Sequence, residues 1–180
     1  MVEYFCGYPK CGKSLVAEER LLRVDGPILY VGTLPNTRPY WPTIWAHQQR
    51  RPSTWNLYEC SGDPTYDLRH LCQAVMDHKG ILLDGGSFYL NRALEWGYSP
   101  NRSWLMLLRK ILAWGESSDV SFFVVDQPIS WMQPKAQVLG RIFHRILYLY
   151  SSNIYYVEGG QARQCSVREL RMLDYKEWPL

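Results

Sequence analysis

Three observations predict an α/β architecture, a mostly parallel sheet with helices on both faces. A phosphate-binding motif opens the chain between a strand pattern and a helix pattern. Short apolar runs of strand length recur along the sequence, as expected of strands buried on both faces. Amphipathic segments of helix length alternate with them, which is the order a parallel sheet needs for its crossovers.

The motif is Gly7-Tyr8-Pro9-Lys10-Cys11-Gly12-Lys13-Ser14, reading G-x-x-x-x-G-K-S. Val2-Glu3-Tyr4-Phe5-Cys6 before it is rich in aromatic and β-branched residues, and Ser14 to Leu22 after it has apolar positions at helical spacing. That placement narrows the class to a P-loop NTPase-like (RecA-like) fold. Gly7 and Gly12 let backbone N–H groups turn inward around a phosphate, and the following helix points its positive end at the same place. All eight residues are expected to contact a nucleoside triphosphate, GTP or ATP, with Lys13 at the β- and γ-phosphates and Ser14 offering its hydroxyl to Mg2+.

Gly26-Pro27 marks a turn, and Ile28 to Thr33 reads as the second parallel strand. Leu34 to Trp45 holds Pro35, Pro39 and Pro42, so it is expected as a loop over the active face, with a short helix able to begin at Pro42. Thr54 to Cys60 alternates as a strand and Ser61 to Pro64 breaks it. From Tyr66 a helix is expected with Leu68, Leu71, Cys72, Val75 and Met76 on one face. Ile81 to Asp84 is a buried strand, Arg102 to Trp114 a helix and Ser121 to Asp126 a further strand. Lys135 to Tyr150 is a long helix with Val138, Leu139, Ile142, Phe143, Ile146 and Leu147 on one face. Ile154 to Val157 is expected to close the sheet, leaving residues 163–180 as a peripheral tail with a thin helical stripe at Val167, Leu170 and Leu173.

The 180 residues suit one domain, residues 1–180, with a real core. A hydrophobic fraction of 47% and a charged fraction of 21% are those of a soluble globular chain, and no apolar run is long enough to span a membrane. The five cysteines are scattered without zinc-ligand spacing, and the N-terminus lacks a leader pattern, so reduced thiols in a cytoplasm are expected. A net charge of +3 spread along the chain argues against a nucleic-acid partner. The many Trp and Tyr rings suggest that some lie on a substrate surface or a subunit interface.

Two carboxylates end predicted strands, Asp84 and Asp126; either could hold the metal, and Asp84 is preferred. His70, His78 and His144 fall on or near helices, where a solvated or dipole-facing ring is the ordinary explanation. His47 differs, because Gln48-Gln49-Arg50-Arg51-Pro52 follows it and sets a potential nucleophile beside guanidinium groups that can hold phosphate.

The order of these features resembles one family. The P-loop, then Ala17-Glu18, a strand ending in Gly32-Thr33, His47-x-x-x-Arg51-Pro52-x-x-Trp55-x-x-x-Glu59 and Ile81-Leu82-Leu83-Asp84 looks like bacterial adenosylcobinamide kinase/adenosylcobinamide-phosphate guanylyltransferase. The resemblance runs over about residues 1 to 160 and weakens after Asp84. It implies that His47 attacks the α-phosphate of GTP and passes GMP to a corrinoid phosphate, and that the P-loop also serves a γ-phosphoryl transfer. It further implies that Gly7, Gly12, Lys13 and Ser14 bind triphosphate, that Arg51, Glu59 and Asp84 serve nucleotide and Mg2+, that Thr33 lines the site, and that the chain forms a homo-oligomer. The chain departs from the family at Leu34 to Pro42, which has no acidic residue, at Asp126-Gln127-Pro128-Ile129, and in the helix after Pro134. Those departures leave two other readings open: a P-loop kinase of another small hydroxyl metabolite, and a nucleotide-binding regulatory protein without turnover.

Overall fold

The computed structural model describes residues 1–87, 89–90, 102–129 and 134–174. In chain order the elements are β1 (Val2–Gly7), α1 (Lys13–Leu21), β2 (Ile28–Gly32), α2 (Trp41–Arg50), β3 (Asn56–Glu59), α3 (Pro64–Ala74) and β4 (Gly80–Asp84). They continue with α4 (Arg102–Ser117), β5 (Ser121–Asp126), α5 (Pro134–Tyr150), β6 (Asn153–Glu158), β7 (Gln161–Gln164) and α6 (Val167–Asp174). The strands form one sheet in the order β3-β2-β4-β5-β1-β6-β7, parallel throughout except for the β6–β7 pair.

Strand periodicity divides the core in two. Tyr4 and Cys6, Leu29 and Val31, Ile81 and Leu83, Phe122 and Val124 face one side, where Leu71 of α3, Leu112 of α4, Phe143 and Leu147 of α5 and Leu170 of α6 cover them. Phe5, Ile28, Tyr30, Leu82, Phe123 and Val125 face the other, where Val16, Ala17 and Leu21 of α1 pack. β5 lies between β1, which leads into the P-loop, and β4, which ends in Asp84. The crevice at the carboxyl ends of these strands is therefore where a ligand is expected in such a sheet.

Some sequence expectations give way here. The sheet does not close at β6: Gly159 and Gly160, at φ 54° and 76°, make a two-residue turn of type I′ into β7. β7 reads Gln-Ala-Arg-Gln, a polar edge without the alternation that marks a half-buried strand, so pattern alone passes over it. The segment from residue 163 is also tied into the fold, since Leu170 is 1% exposed; residues 175–180 lie outside the described residues.

Of the stripe predicted on α3, Leu71 and, in the turn that follows, Val75 are buried, while Cys72 and Met76 are exposed; the Leu68 side chain lies outside the described residues. On α5, Phe143 and Leu147 are buried whereas Val138 and Ile142 face outward. Both helices lie on a sheet already covered by neighbours, so a stripe narrower than the sequence offers suffices. The Pro/Trp segment is helical over its second half: Pro42 stands in the first turn of α2, where its missing N–H costs nothing.

Candidate active site

A cleft of about 620 Å³ opens at the carboxyl end of the sheet. Its floor is the P-loop. Gly12 caps α1 at φ 92°, a left-handed conformation only glycine takes without strain, and Lys10 stands at φ 63° in the loop itself. Gly160 N–H donates to the Cys11 carbonyl at 2.8 Å, so the β6–β7 turn buttresses the loop from behind. Lys13 Nζ donates to the Tyr8 carbonyl at 2.8 Å across it. Pro9, Lys10, Gly12, Lys13 and Ser14 border the cleft; Gly7, Tyr8 and Cys11 do not, the Tyr8 ring packing edge-on against Tyr156.

Ser14 and Glu18 share one face of α1, four residues apart, and both meet residues of the opposite wall. Ser14 Oγ donates to Asp84 Oδ1 at 3.0 Å. Asp84 also accepts from Tyr30 Oη through Oδ2 at 2.6 Å. Tyr30 and Asp84 meet because their strands pair in register, Tyr30 opposite Leu82 and Gly32 opposite Asp84, so the two share a face. Burial, and then the charge of Asp84, push the Tyr30 phenol well above its ordinary pKa, so it stays protonated as a donor.

α2 carries His47 into this group. Its Nδ1 lies 3.1 Å from Tyr30 Oη and 3.4 Å from both Glu18 Oε1 and Asp84 Oδ2. Arg50, one turn on, grips Glu18 with Nε and Nη2 at 3.1 Å each. Burial of Glu18 favours its protonated form, but the bonds from His47 and Arg50 outweigh this and hold its carboxyl below the usual range. Arg51 ends the helix, donates Nε to the His47 carbonyl at 2.9 Å and lays its guanidinium 3.8 Å from the centre of the Tyr30 ring.

His47, Thr33, Arg51, Glu59 and Asp84 all border the cleft. The Thr33 hydroxyl lies 2.7 Å from the carbonyls of both Asp84 and Gly85, so it pins the strand end that presents Asp84. Glu59 ends β3 at the open side. Of the two strand-end acids, Asp84 is bonded to the P-loop. Asp126 is 1% exposed and accepts from the Ser87 and Gln127 amides beside His144. His144 is therefore a buried ring and not a solvated one, 3.4 Å from both Asp126 and the Tyr4 hydroxyl. His70 stacks between Tyr66 and Tyr58 on the surface, and His78 meets the Asn56 amide.

Glu18 and Tyr30 belong to this group although the sequence assigns them no role in it, and Arg50, expected beside His47 as a phosphate-holding guanidinium, grips Glu18 instead. The signals were present: the i, i+4 spacing of Ser14 and Glu18, and the strand parity shared by Tyr30 and Asp84.

Hard oxygen donors suit Mg2+, and a hydroxyl and a carboxylate meet at the cleft in Ser14 and Asp84. Ligand atoms of Glu18, His47 and Asp84 also come within 4.8 Å of one another. A cation there would face the Arg50 guanidinium, 3.3 Å from His47 Nδ1 and already bound to both Glu18 oxygens, which makes it the poorer site. Among the described residues no helix is long and apolar enough to cross a membrane.

Comparison with solved structures places this geometry in a known fold. The chain is similar to a KaiC-like protein from the hyperthermophilic archaeon Pyrococcus horikoshii OT3, at TM-score 0.50 and 11% identity over 86% of this chain and 69% of that one. It is also similar to an ATPase from the type III secretion system of pathogenic bacteria, at TM-score 0.58 and 9% identity over 94% of this chain and 60% of the other. At such identities the likeness speaks for the fold alone: the P-loop NTPase sheet expected from sequence. No curated protein sequence matches. The family model for cobinamide kinase / cobinamide phosphate guanyltransferase matches residues 4–156, from β1 through most of β6. With that match covering most of its length, the chain belongs to the cobinamide kinase / cobinamide phosphate guanyltransferase family, phosphorus-group transferases of cobalamin biosynthesis.

Proposed function

We propose that the protein carries out both transfers in the one cleft: a γ-phosphoryl group to the hydroxyl of a cobinamide, and GMP from GTP, through His47, to the resulting phosphate. The observation that carries this reading is the contact chain from the P-loop to the imidazole, Ser14 to Asp84 to Tyr30 to His47. A triphosphate held by the loop amides and Lys13 has its phosphates within one side-chain layer of that ring.

Lys13 and the N-terminus of α1 would bind the β- and γ-phosphates. Arg51, fixed on the Tyr30 ring, would steady the α-phosphate, and the open side bounded by Leu57 and Glu59 would take the base. Ser14 and Asp84 would hold Mg2+, which when bound screens the charge of the leaving pyrophosphate. Neutral imidazole is a good nucleophile toward phosphorus, and the phosphoramidate it forms is labile enough to hand GMP on.

Two expectations remain as proposals. Exposed Trp41 and Trp45, a turn apart on α2, support a homo-oligomer, to be tested by light scattering. Five cysteines scattered along the chain without zinc-ligand spacing support a reducing cytoplasm. The alternatives, a kinase of another metabolite and a regulator without turnover, find no specific support in the cleft.

The test is turnover with cobinamide and GTP labelled at the γ- or the α-phosphorus. The γ label is expected in the corrinoid first, and the α label in a later product whose formation requires His47. Failure of both labels to reach the corrinoid would reject the proposal.

A further inference from the structure

The nucleophile proposed above has two ring nitrogens, and its surroundings distinguish them. Four polar atoms crowd Nδ1: Tyr30 Oη at 3.1 Å, Arg50 Nη2 at 3.3 Å, Glu18 Oε1 at 3.4 Å and Asp84 Oδ2 at 3.4 Å. Two of them are carboxylate oxygens, and the third oxygen has given its own proton to Asp84 at 2.6 Å. The one donor, Arg50 Nη2, gives one of its two N–H groups to Glu18 Oε1 at 3.1 Å, so a single N–H at 3.3 Å is set against three oxygens around the nitrogen. A lone pair on Nδ1 would thus face three electron-rich oxygens, whereas an N–H there finds acceptors on every side. No hydrogen bond reaches Nε2 from the described residues.

We infer that Tyr30, backed by Glu18, is a positioning residue that holds His47 as the Nδ1–H tautomer, so that Nε2 is the atom that receives GMP. This rests on the reading of His47 as the nucleotidyl carrier and goes one level below it. The Nε2 lone pair forms the bond to the α-phosphorus while the bond from that phosphorus to the bridging oxygen breaks, and pyrophosphate leaves with the electron pair. The ring keeps its Nδ1 proton and becomes a cation, which Glu18 and Asp84 face with negative charge. When an acceptor phosphate oxygen attacks, the P–Nε2 bond breaks, its electron pair returns to the nitrogen, and the neutral Nδ1–H ring is restored. No proton leaves the imidazole in either half.

Tyr30→Phe isolates the claim, because it removes the hydroxyl and keeps the ring on which Arg51 lies. The full chain, labelled with 15N in its histidines, is read by long-range 1H–15N correlation, with His47→Ala assigning the resonance. After GTP and Mg2+ are added, the linkage isomer of the adduct is determined by alkaline digestion against Nδ1- and Nε2-guanylylated histidine standards. Expected are Nδ1–H in the resting wild type and an adduct on Nε2 alone. In Tyr30→Phe the Nε2–H form should gain population, and the rate of adduct formation should fall about tenfold, the scale of one hydrogen bond at a charged centre, at unchanged GTP affinity. An Nε2–H ring in the wild type, an adduct on Nδ1, or a Tyr30→Phe variant with unaltered tautomer and rate would overturn the inference. If no adduct forms at all, the nucleotidyl-transfer reading fails, and the resting tautomer still decides for or against the positioning role of Tyr30.

Discussion

Replacing Gly12 by alanine tests how the P-loop is held in shape. At φ 92° an L side chain costs about 1–2 kcal/mol against glycine. The new Cβ would also stand 2.9 Å from Gly160 Cα and 3.3 Å from Gly160 N, both backbone atoms of the β6–β7 turn. That turn cannot withdraw without stretching its 2.8 Å bond to the Cys11 carbonyl, worth about 1 kcal/mol. Together these give a loss of roughly 2–3 kcal/mol, or about 4–12 °C in Tm for a chain of this size. Gly159→Ala is the internal control: its φ is 54° and nothing lies within 4 Å of the added carbon, so only the conformational part applies. Thermal unfolding of both variants, followed by GTP titration, separates strain from collision. Gly12→Ala is expected to melt below Gly159→Ala and to bind GTP weakly, because the loop amides have turned. Equal melting temperatures with wild-type GTP affinity would refute the idea that the hairpin turn buttresses the loop.

Other consequences are as direct. GTP at a hundred times its Kd should stabilise the wild type by about 2.7 kcal/mol, and Lys13→Ala should lose that thermal shift while unfolding normally without nucleotide; an undiminished shift would remove Lys13 from the phosphate site. Asp67, fully buried, accepts from the Tyr58 and Tyr89 hydroxyls and from the amides of Ser61 and Gly62. Asp67→Ala should therefore cost about 3–5 kcal/mol in denaturant unfolding, and a loss under 1 kcal/mol would contradict this accounting. Glu169 is held at about 2 by the Ser166 amide, by Arg163 and by the Ser166 hydroxyl, closing a capping box on α6. Since its folded pKa lies below the ordinary 4.5, the cap is fully present above that pH and is lost as pH falls toward 2. Amide exchange at the start of α6 should quicken over that window in the wild type and show no such step in Glu169→Gln; a carboxyl titrating near 4.5 would oppose it.

The parts of the fold legible in the sequence were those whose pattern is set by burial on both sides. β2, β4 and β5 are apolar runs with nothing else to be, and each lies where its run was read. β7 was not legible, because a polar edge strand is defined by its partner and not by its own residues; the Gly159-Gly160 turn was its single local sign. The helix faces were read too wide for a similar reason. Cys72 and Met76 sit beside the true stripe, and only the position of α4 decides where burial stops.

The site divides the same way. P-loop residues announce themselves because backbone geometry restricts them to glycine at two places and to Lys-Ser after the second. Glu18 lies on the helix after the P-loop and Tyr30 inside a buried strand, and neither segment alone marks its residue for the site. Their role comes from a meeting of α1, β2, β4 and α2 at one point, which no single segment encodes. His47 was legible through the arginines that follow it, yet the structure uses them differently from each other. Both border the cleft, but Arg50 neutralises Glu18 while Arg51 stacks on Tyr30.

The most direct measurement of the central claim is covalent. Wild-type protein incubated with Mg2+ and GTP labelled at the α-phosphorus, then denatured, should retain about one acid-labile, base-stable label per chain, mapped by peptide sequencing to His47, while γ-labelled GTP leaves none and His47→Ala takes none. Protein that stays unlabelled, or a His47→Ala variant that labels like the wild type, would contradict the account.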